Sequence, residues 1–408
     1  MRILEDYRGI VDDSVLTEIY KKARKFYGKK AIHINSTYYG GGVAEMLNSL
    51  IPLMNDVGIQ ADWRILRGTN DFFEVTKKFH NALQGGSIRL TEIKKRLYIQ
   101  ANEDFSSYCH IDADFVMIHD PQPLPLIRFY KKRQPWVWRC HVDLSEPNQR
   151  LWNFLKGFIL RYDEVIISNE KYRKKHLPVT QKIVYPAIDP LSPKNVPLDG
   201  RTIKRYLEKF DIPMDKPLIT QISRFDKWKD PEGVIEVFKR VKEKIDARLV
   251  LCGSMATDDP EGWVIYQRVK RKAGKMVGSG DIILINSENN ILVNVLQHIS
   301  DVIIQKSLRE GFGLTVTEGM WKQRPVIASN VGGIPIQIED GVSGFLCEPT
   351  DIDCFVDRII TVLKDKKLAE ELGKNARERV RQKFLITRLL SDHLSIMSDV
   401  CEMYGGNH

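Results

Sequence analysis

Two glutamates, Glu310 and Glu318, flank a Gly-Phe-Gly turn in a pattern that could bind a sugar nucleotide. A strand-like run at 301–305 precedes the turn, and residues 314–322 have the composition of a helix. Glycine lets the main chain approach a ligand closely, and free N–H groups at a helix start favour phosphate. Glu310 lies at the mouth of this turn. Glu318 lies one turn into the helix and leans back toward its start, where it could meet a ribose diol. On this spacing alone, a plain βα turn with two solvated glutamates stays open.

Arg224 and Lys229 form a second candidate group, five positions apart in the segment 221–231. They follow a strand-like run, and open α/β sheets bind ligands at the carboxyl ends of their strands. Arg presents a planar fork and Lys a point charge, so the two cations could clamp a diphosphate. A surface turn with ordinary charges is the alternative.

The first half of the chain repeats this theme at glycines 40–42, which join a strand to a helix that carries Glu45 in its first turn. These N–H groups and Glu45 could meet sugar hydroxyls, and a glycine turn for close helix packing is the alternative. Residues 138–143 end another strand, and His141 there could donate to or accept from a sugar hydroxyl near the reacting carbon. A structural histidine remains the other interpretation.

We expect no metal site. Asp112 and Asp114 form a D-x-D pattern, but the pattern precedes the strand at 115–118 instead of ending one, which favours a loop. The six cysteines (109, 140, 252, 347, 354 and 401) contain no C-x-x-C pair, so we expect reduced thiols and neither a disulfide framework nor a zinc site.

The composition is that of a soluble globular protein of two to three domains, with 408 residues, 43% hydrophobic and 28% charged. No apolar run is long enough to span a membrane, and the N-terminus lacks a signal region, so we expect a cytoplasmic protein. The net charge of +9 suits a phosphorylated ligand. Because the basic clusters are short and interleaved with acids, we expect no nucleic-acid partner. The oligomeric state stays open, with a homodimer as one option.

Twelve short β-rich runs alternate with helix-compatible stretches, which predicts doubly wound α/β domains. Four prolines within 186–197 mark a linker. We therefore predict two Rossmann-like domains facing across a cleft, at 1–190 and 191–384, with a C-terminal helix at 385–408 packing back on the first. The predicted strands lie at 31–35, 62–66, 115–118, 135–140, 164–167 and 182–185, and at 218–222, 248–252, 282–285, 302–304, 326–328 and 344–347.

Together these segments resemble the retaining GT-B glycosyltransferases of family 4. The strongest part runs from Ser223 to Pro349, with S-R-F-x-x-x-K, E-G-F-G-L-T-V-T-E-G-M, P-V-I-A-S-N-V-G-G-I-P and E-D-G-V-S-G-F-L in order. One departure is Lys306, where the family often has proline. The segments Y-Y-G-G-G-V-A-E and R-C-H-V-D look most like trehalose synthases of the glycosyltransferring type.

The resemblance implies a role for each candidate residue. The catalytic residues would be Arg224, Lys229, Glu310 and His141. The donor would also meet Gly311, Phe312, Gly313, Leu314, Glu318 and Gly41. The acceptor would meet Gly42, Glu45 and Asp143.

The implied reaction joins the glucose of a nucleoside diphosphate glucose, such as UDP-glucose or ADP-glucose, to free glucose, reversibly and without a cofactor or metal. The partners are thus small-molecule sugars and a nucleotide sugar. Three alternatives stay open: a trehalose phosphorylase, another family 4 transferase with a different acceptor, and a non-enzymatic sugar-binding protein with two lobes.

Overall fold

The computed structural model describes residues 2–38, 41–253 and 260–405. The chain divides into two compact units: unit 1 is Met1–Ala187 with Leu385–His408, and unit 2 is Ile188–Phe384. These bounds lie within three residues of the predicted domains. No helix in the described part of the chain is long and apolar enough to cross a membrane.

Unit 1 is built on six parallel strands in the order β2-β1-β3-β4-β5-β6. The strands are β1 (Lys30–Asn35), β2 (Gln60–Ile65), β3 (Phe115–His119), β4 (Trp136–Arg139), β5 (Glu164–Ile167) and β6 (Thr180–Ile183). Its helices are α1 (Asp13–Ala23), α2 (Gly42–Asp56), α3 (Asn70–Leu83), α4 (Glu92–Tyr108), α5 (Gln149–Ile159) and, from the C-terminus, α15 (Ile386–Gly405).

Unit 2 repeats the architecture with the strand order β12-β11-β10-β7-β8-β9. Its strands are β7 (Leu218–Ile222), β8 (Arg248–Gly253), β9 (Ile282–Asn286), β10 (Val302–Gln305), β11 (Val326–Ser329) and β12 (Phe345–Cys347). Its helices are α6 (Gly200–Lys209), α7 (Pro231–Lys242), α8 (Pro260–Ala273), α9 (Lys275–Gly278), α10 (Asn290–Ile299), α11 (Leu314–Trp321), α12 (Ile334–Gln337), α13 (Ile352–Lys364) and α14 (Lys366–Lys383).

The twelve predicted strands are confirmed, each within two residues of its observed bounds. The central strands are buried along their whole length, as in β3, β4, β7 and β10, because helices cover both faces of a parallel sheet. Helix α1 is followed by a 3-10 turn, Arg24–Phe26.

The helical C-terminal segment consists of two helices that belong to different units. Helix α14 ends at Lys383, and α15 packs against α1 and α2. Its buried residues Leu389, Leu390 and Leu394 are fully inaccessible to solvent, so this helix is an integral part of the unit 1 core.

The expectation of reduced cysteines is wrong at one place. Cys347, the last residue of β12, forms a disulfide with Cys354 in the first turn of α13. A sequence separation of seven gives no signal for this pairing. The strand-to-helix turn between the two cysteines brings their Cα atoms to 5.9 Å, a distance that a disulfide can bridge. Cys109, Cys140, Cys252 and Cys401 are free.

Candidate active site

The loops that carry the candidate residues of unit 2 follow two neighbouring strands, β7 and β10. The Gln221 side chain joins them: it donates to the Lys229 carbonyl and accepts from the Lys306 N–H, both at 2.9 Å. The Leu308 N–H also donates to the Trp228 carbonyl at 2.7 Å. Because parallel strands end at one sheet edge, these bonds fix the two loops side by side.

Lys229 and Glu310 are brought together at this edge. The Lys229 ammonium forms an ion pair with Glu310 Oε2, and the side chains are only 17% and 11% exposed. Ser307 Oγ donates to the same carboxylate oxygen at 3.3 Å. Each charge is therefore compensated before a ligand arrives, and Lys229 can turn from the carboxylate to an incoming phosphate.

The Arg224 side chain differs from that of Lys229 because it is mostly exposed to solvent. Its side chain is 58% exposed, and its Nη2 lies 3.4 Å from Asp226 Oδ2. Asp226 also accepts from the N–H groups of Trp228 and Lys229, which shapes the short 3-10 helix Lys227–Lys229. A solvated guanidinium can reorient toward an anion at little cost.

The glycine turn ends where α11 begins, and no side chain in the described part of the chain caps that helix. Gly313 is its N-cap residue with φ +85°, a conformation that L side chains rarely adopt. A Cβ there would also lie 3.1 Å from Glu310 Cγ. Gln337 Nε2 holds the turn by donating to the carbonyls of Phe312 and Gly313. The uncapped N–H groups, beginning at Leu314, can bind an anion.

Glu318 lies in different surroundings from Glu310. It is buried in α11, where its Oε2 accepts from Gln297 Nε2 at 3.0 Å and its Oε1 lies 3.8 Å from Lys194 Nζ. Lys322 also donates to Gln297 Oε1 at 2.7 Å, and burial lowers the pKa of that ammonium to about 7. A ribose bound by Glu318 would have to take over contacts that the protein now makes.

The glycine-rich segment of unit 1 is described from Gly41 onward, and Tyr39 and Gly40 lie outside the described residues. Gly41 is exposed with φ 138°, and α2 begins at Gly42. The Glu45 N–H donates to the Gly41 carbonyl at 3.2 Å, and Glu45 is half-buried in the first turn. The strand before the glycines and the helix after them are thus as predicted, with Gly42 already the first residue of the helix.

His141 and Asp143 follow β4, and a residue that the sequence reasoning missed lies beside them. Asp120, directly after β3, accepts the His141 N–H through Oδ1 at 2.8 Å, and burial raises the pKa of its carboxyl to about 7. Asp120 has φ 63°, which is uncommon for a residue with a side chain. Asp143 is 2% exposed, and its Oδ1 accepts from the Ser145 N–H and hydroxyl. Asp120 could have been found from its position in the sequence, because it follows a buried strand, as His141 does. These two strands, β3 and β4, are neighbours in the sheet.

The D-x-D pattern lies at the opposite edge of the unit 1 sheet, before β3 begins. Lys30 Nζ lies 2.6 Å from Asp112, and Lys29 Nζ lies 3.1 Å from Asp114. Both carboxylates are substantially exposed. No group of three or more His, Cys, Asp or Glu residues within 2–38, 41–253 and 260–405 could hold a metal ion.

Comparison with known proteins identifies both units. The family described as "Trehalose synthase, N-terminal domain" matches residues 33–174, and "Glycosyl transferases group 1" matches 202–379. A trehalose synthase of Thermococcus litoralis is 47% identical over 97% of this chain and 96% of its own length. A trehalose phosphorylase of Grifola frondosa is 28% identical over 92% of this chain but 58% of its own length.

Among solved structures, a UDP-forming trehalose-phosphate synthase from Burkholderia xenovorans in complex with glucose-6-phosphate has a TM-score of 0.75 at 13% identity. The match covers 91% of this chain and all of that one. At this identity, the likeness shows the fold alone.

Proposed function

Since the chain belongs to the trehalose synthase family of GT-B glycosyltransferases, we propose that it joins the glucose of a nucleoside diphosphate glucose to free glucose. The product is α,α-trehalose, formed reversibly and with retention of the donor configuration. The observation that carries the proposal is the grouping at the carboxyl ends of β7 and β10 in unit 2: Lys229 pairs with Glu310, Arg224 lies in the same loop beside Asp226, and α11 begins just after Glu310 with no side-chain cap among the described residues. This grouping suits a diphosphate with a sugar attached.

In this proposal, unit 2 stabilises the charge that develops on the leaving diphosphate. Arg224 and Lys229 take the phosphate oxygens with the N–H groups of α11, while Glu310 turns to the donor sugar hydroxyls. Preorganised charges of this kind usually make the largest contribution to catalysis. The acceptor hydroxyl attacks from the face that the diphosphate leaves, and a diphosphate oxygen takes its proton. Gly311, Phe312, Gly313 and Leu314 contribute backbone contacts.

Unit 1 supplies the acceptor groups in the proposal. Gly42, Glu45, His141 and Asp143 meet the second glucose, and Gly41 meets the donor. The reaction needs no cofactor or metal, takes place in the cytoplasm, and involves small-molecule sugars and a nucleotide sugar as partners.

Turnover separates the proposed reaction from the phosphorylase alternative. With UDP-glucose or ADP-glucose plus glucose, and after exhaustive chelation, we expect release of nucleoside diphosphate that depends on glucose. Turnover of trehalose with inorganic phosphate, and none with any nucleotide glucose, would support the phosphorylase. If chelation abolished activity and Mg²⁺ or Mn²⁺ restored it, the result would contradict the metal-free reaction. Asp112 and Asp114 would then have to be reconsidered as metal ligands.

The two glutamates should respond differently to removal of charge. We expect Glu318→Gln to weaken binding of both nucleoside diphosphate and nucleotide glucose, because both ligands present the ribose. Glu310→Gln should mainly reduce transfer, because the donor sugar, which nucleoside diphosphate lacks, meets this carboxylate. Calorimetric titration with both ligands measures this, and Glu378→Gln, an exposed position in α14, is the matched control. Unchanged nucleoside diphosphate affinity in Glu318→Gln would refute its ribose role.

A further inference from the structure

Three histidine side chains form a hydrogen-bonded row across neighbouring strands of unit 1. His33 Nδ1 lies 3.1 Å from His119 Nε2, and His119 Nδ1 lies 3.1 Å from His141 Nε2. The rings stack with centroids 5.4 Å apart in both pairs. His33 and His119 are buried, whereas His141 is half-buried. The row therefore connects the interior of the sheet to the proposed acceptor residue.

Strand register explains why the three rings share one face. His33 on β1 is in register with Met117, two residues before His119, and His119 is in register with Arg139, two residues before His141. Side chains alternate along a strand, so each step of two residues returns to the same face. The row crosses β1, β3 and β4, which are adjacent in the sheet.

Buried cationic surroundings keep these rings neutral. Arg139 Nη1 donates to His393 Nε2 of α15 at 3.1 Å, so His393 carries its proton on Nδ1, which donates to the Leu389 carbonyl at 2.8 Å. Burial and the Arg139 charge lower the pKa of His33 to about 3 and those of His119, His141 and His393 well below the ordinary value. The other charged groups around Arg139 are Arg388 and Asp392 of α15 and Asp120.

A neutral imidazole has one N–H and one lone pair, so each ring in the row must donate on one side and accept on the other. The two hydrogen bonds of the row consequently run in the same direction, and there are two possible directions. In the first, every proton is on Nε2, and the buried His33 Nε2–H finds no acceptor within 2–38, 41–253 and 260–405. In the second, every proton is on Nδ1, and His33 Nε2, which has no hydrogen-bond partner among the described residues, carries only a lone pair. Buried N–H groups without an acceptor are the rarer state in proteins, which favours the second direction.

We propose that His33 and His119 are positioning residues that hold the His141 ring neutral with its proton on Nδ1, so that His141 donates a hydrogen bond to a sugar oxygen and does not accept a proton. The role of the row at the substrate depends on the proposed function of His141, whereas the tautomer itself is a property of the free protein. The row thus favours an acceptor sugar that presents an oxygen lone pair to His141.

Nitrogen-15 NMR of the full chain with labelled histidine tests the tautomer without any substrate. At pH 7.5 we expect the shift of a protonated nitrogen at Nδ1 and of an unprotonated nitrogen at Nε2 for His33, His119 and His141. The signals are assigned by single substitutions. A proton on Nε2 of His141, or a charged ring, would overturn the proposal. This result is independent of whether the chain makes trehalose, so its failure is distinct from failure of the proposed function.

Variants of His119 provide a second readout. His119→Phe keeps the ring volume but removes both hydrogen bonds, and we expect His141 to populate both tautomers and kcat to fall about tenfold, the size of one hydrogen bond. His119→Asn should recover much of the loss, because its side-chain N–H can replace Nδ1–H. His176→Phe, an exposed position on unit 1, is the control. A folded His119→Phe protein with unchanged His141 shifts and unchanged kcat would contradict the positioning role, and the wild-type shifts decide the case if that variant does not fold.

Discussion

We expect replacement of Lys229 with alanine to lower kcat for glucose transfer by about 30- to 1,000-fold and to change acceptor KM little. The diphosphate gains negative charge as the sugar bond breaks, so a cation there acts mainly on the transition state. Loss of one preorganised group of this kind costs about 2–4 kcal/mol. We expect Arg224→Ala to have an effect of the same order.

Steady-state kinetics of the two variants measure this effect, with Lys227→Ala as the matched control. Lys227 lies in the same 3-10 helix, but its ammonium is 5.1 Å from the Trp228 ring centroid and it is exposed. Melting temperatures show whether loss of Lys229 also disturbs the fold, since Glu310 is left buried without this partner. Near-normal kcat in both Lys229→Ala and Arg224→Ala would refute the diphosphate clamp.

Acidification from pH 7.5 to 5.0 should destabilise unit 1 by several kcal/mol. His33, His119, His141 and His393 have folded pKa values below that of an unfolded histidine, about 6.5. As pH falls below 6.5, the unfolded chain binds protons that the folded unit does not, so stability falls until the folded pKa is reached. At pH 5.0, His33 alone accounts for about 2 kcal/mol.

Protonation of Asp120 opposes this loss of stability at low pH and offsets part of it. Its folded pKa of about 7 lies above the ordinary carboxyl value, so the folded unit takes up a proton first and gains stability as pH falls through 7. Four histidines outweigh one aspartate, and the net change remains a loss.

Hydrogen exchange with mass spectrometry, corrected for the intrinsic pH dependence of exchange, follows the two units separately. Peptides covering β1, β3 and β4 should lose protection at pH 5.0 before peptides covering β7 and β10. Peptides of unit 2 provide the internal control. Protection in unit 1 that does not change with pH, or that falls first in unit 2, would contradict neutral buried histidines.

The strands, the glycine turn before α11 and the position of Arg224 and Lys229 after β7 were predictable because their signals are local. Continuous apolar runs mark buried parallel strands, and motif spacing places Glu310 at a strand end. The contact between Lys229 and Glu310 follows from the adjacency of β7 and β10, which a single sequence does not specify.

Three features of the structure were beyond local reasoning. His33 and His119 each occur alone in an apolar strand, and only strand order and register place them in a row with His141. The disulfide between Cys347 and Cys354 depends on the turn between β12 and α13. The contacts of Glu318 with Gln297 and Lys194 join α11 to α10 and to the segment before α6, which are distant in sequence. In each case, tertiary packing brings together groups whose spacing carries no signal.

Product analysis by NMR tests the central claim most directly. The full-length chain is supplied with UDP-glucose or ADP-glucose, and with glucose, glucose 6-phosphate and fructose as competing acceptors. A site that pairs acceptor hydroxyls with buried polar groups should reject sugars that leave those groups unmatched. We predict α,α-trehalose as the dominant product, with release of one nucleoside diphosphate for each disaccharide formed. A phosphorylated or fructose-containing disaccharide as the main product, or a linkage with inverted donor configuration, would contradict the account.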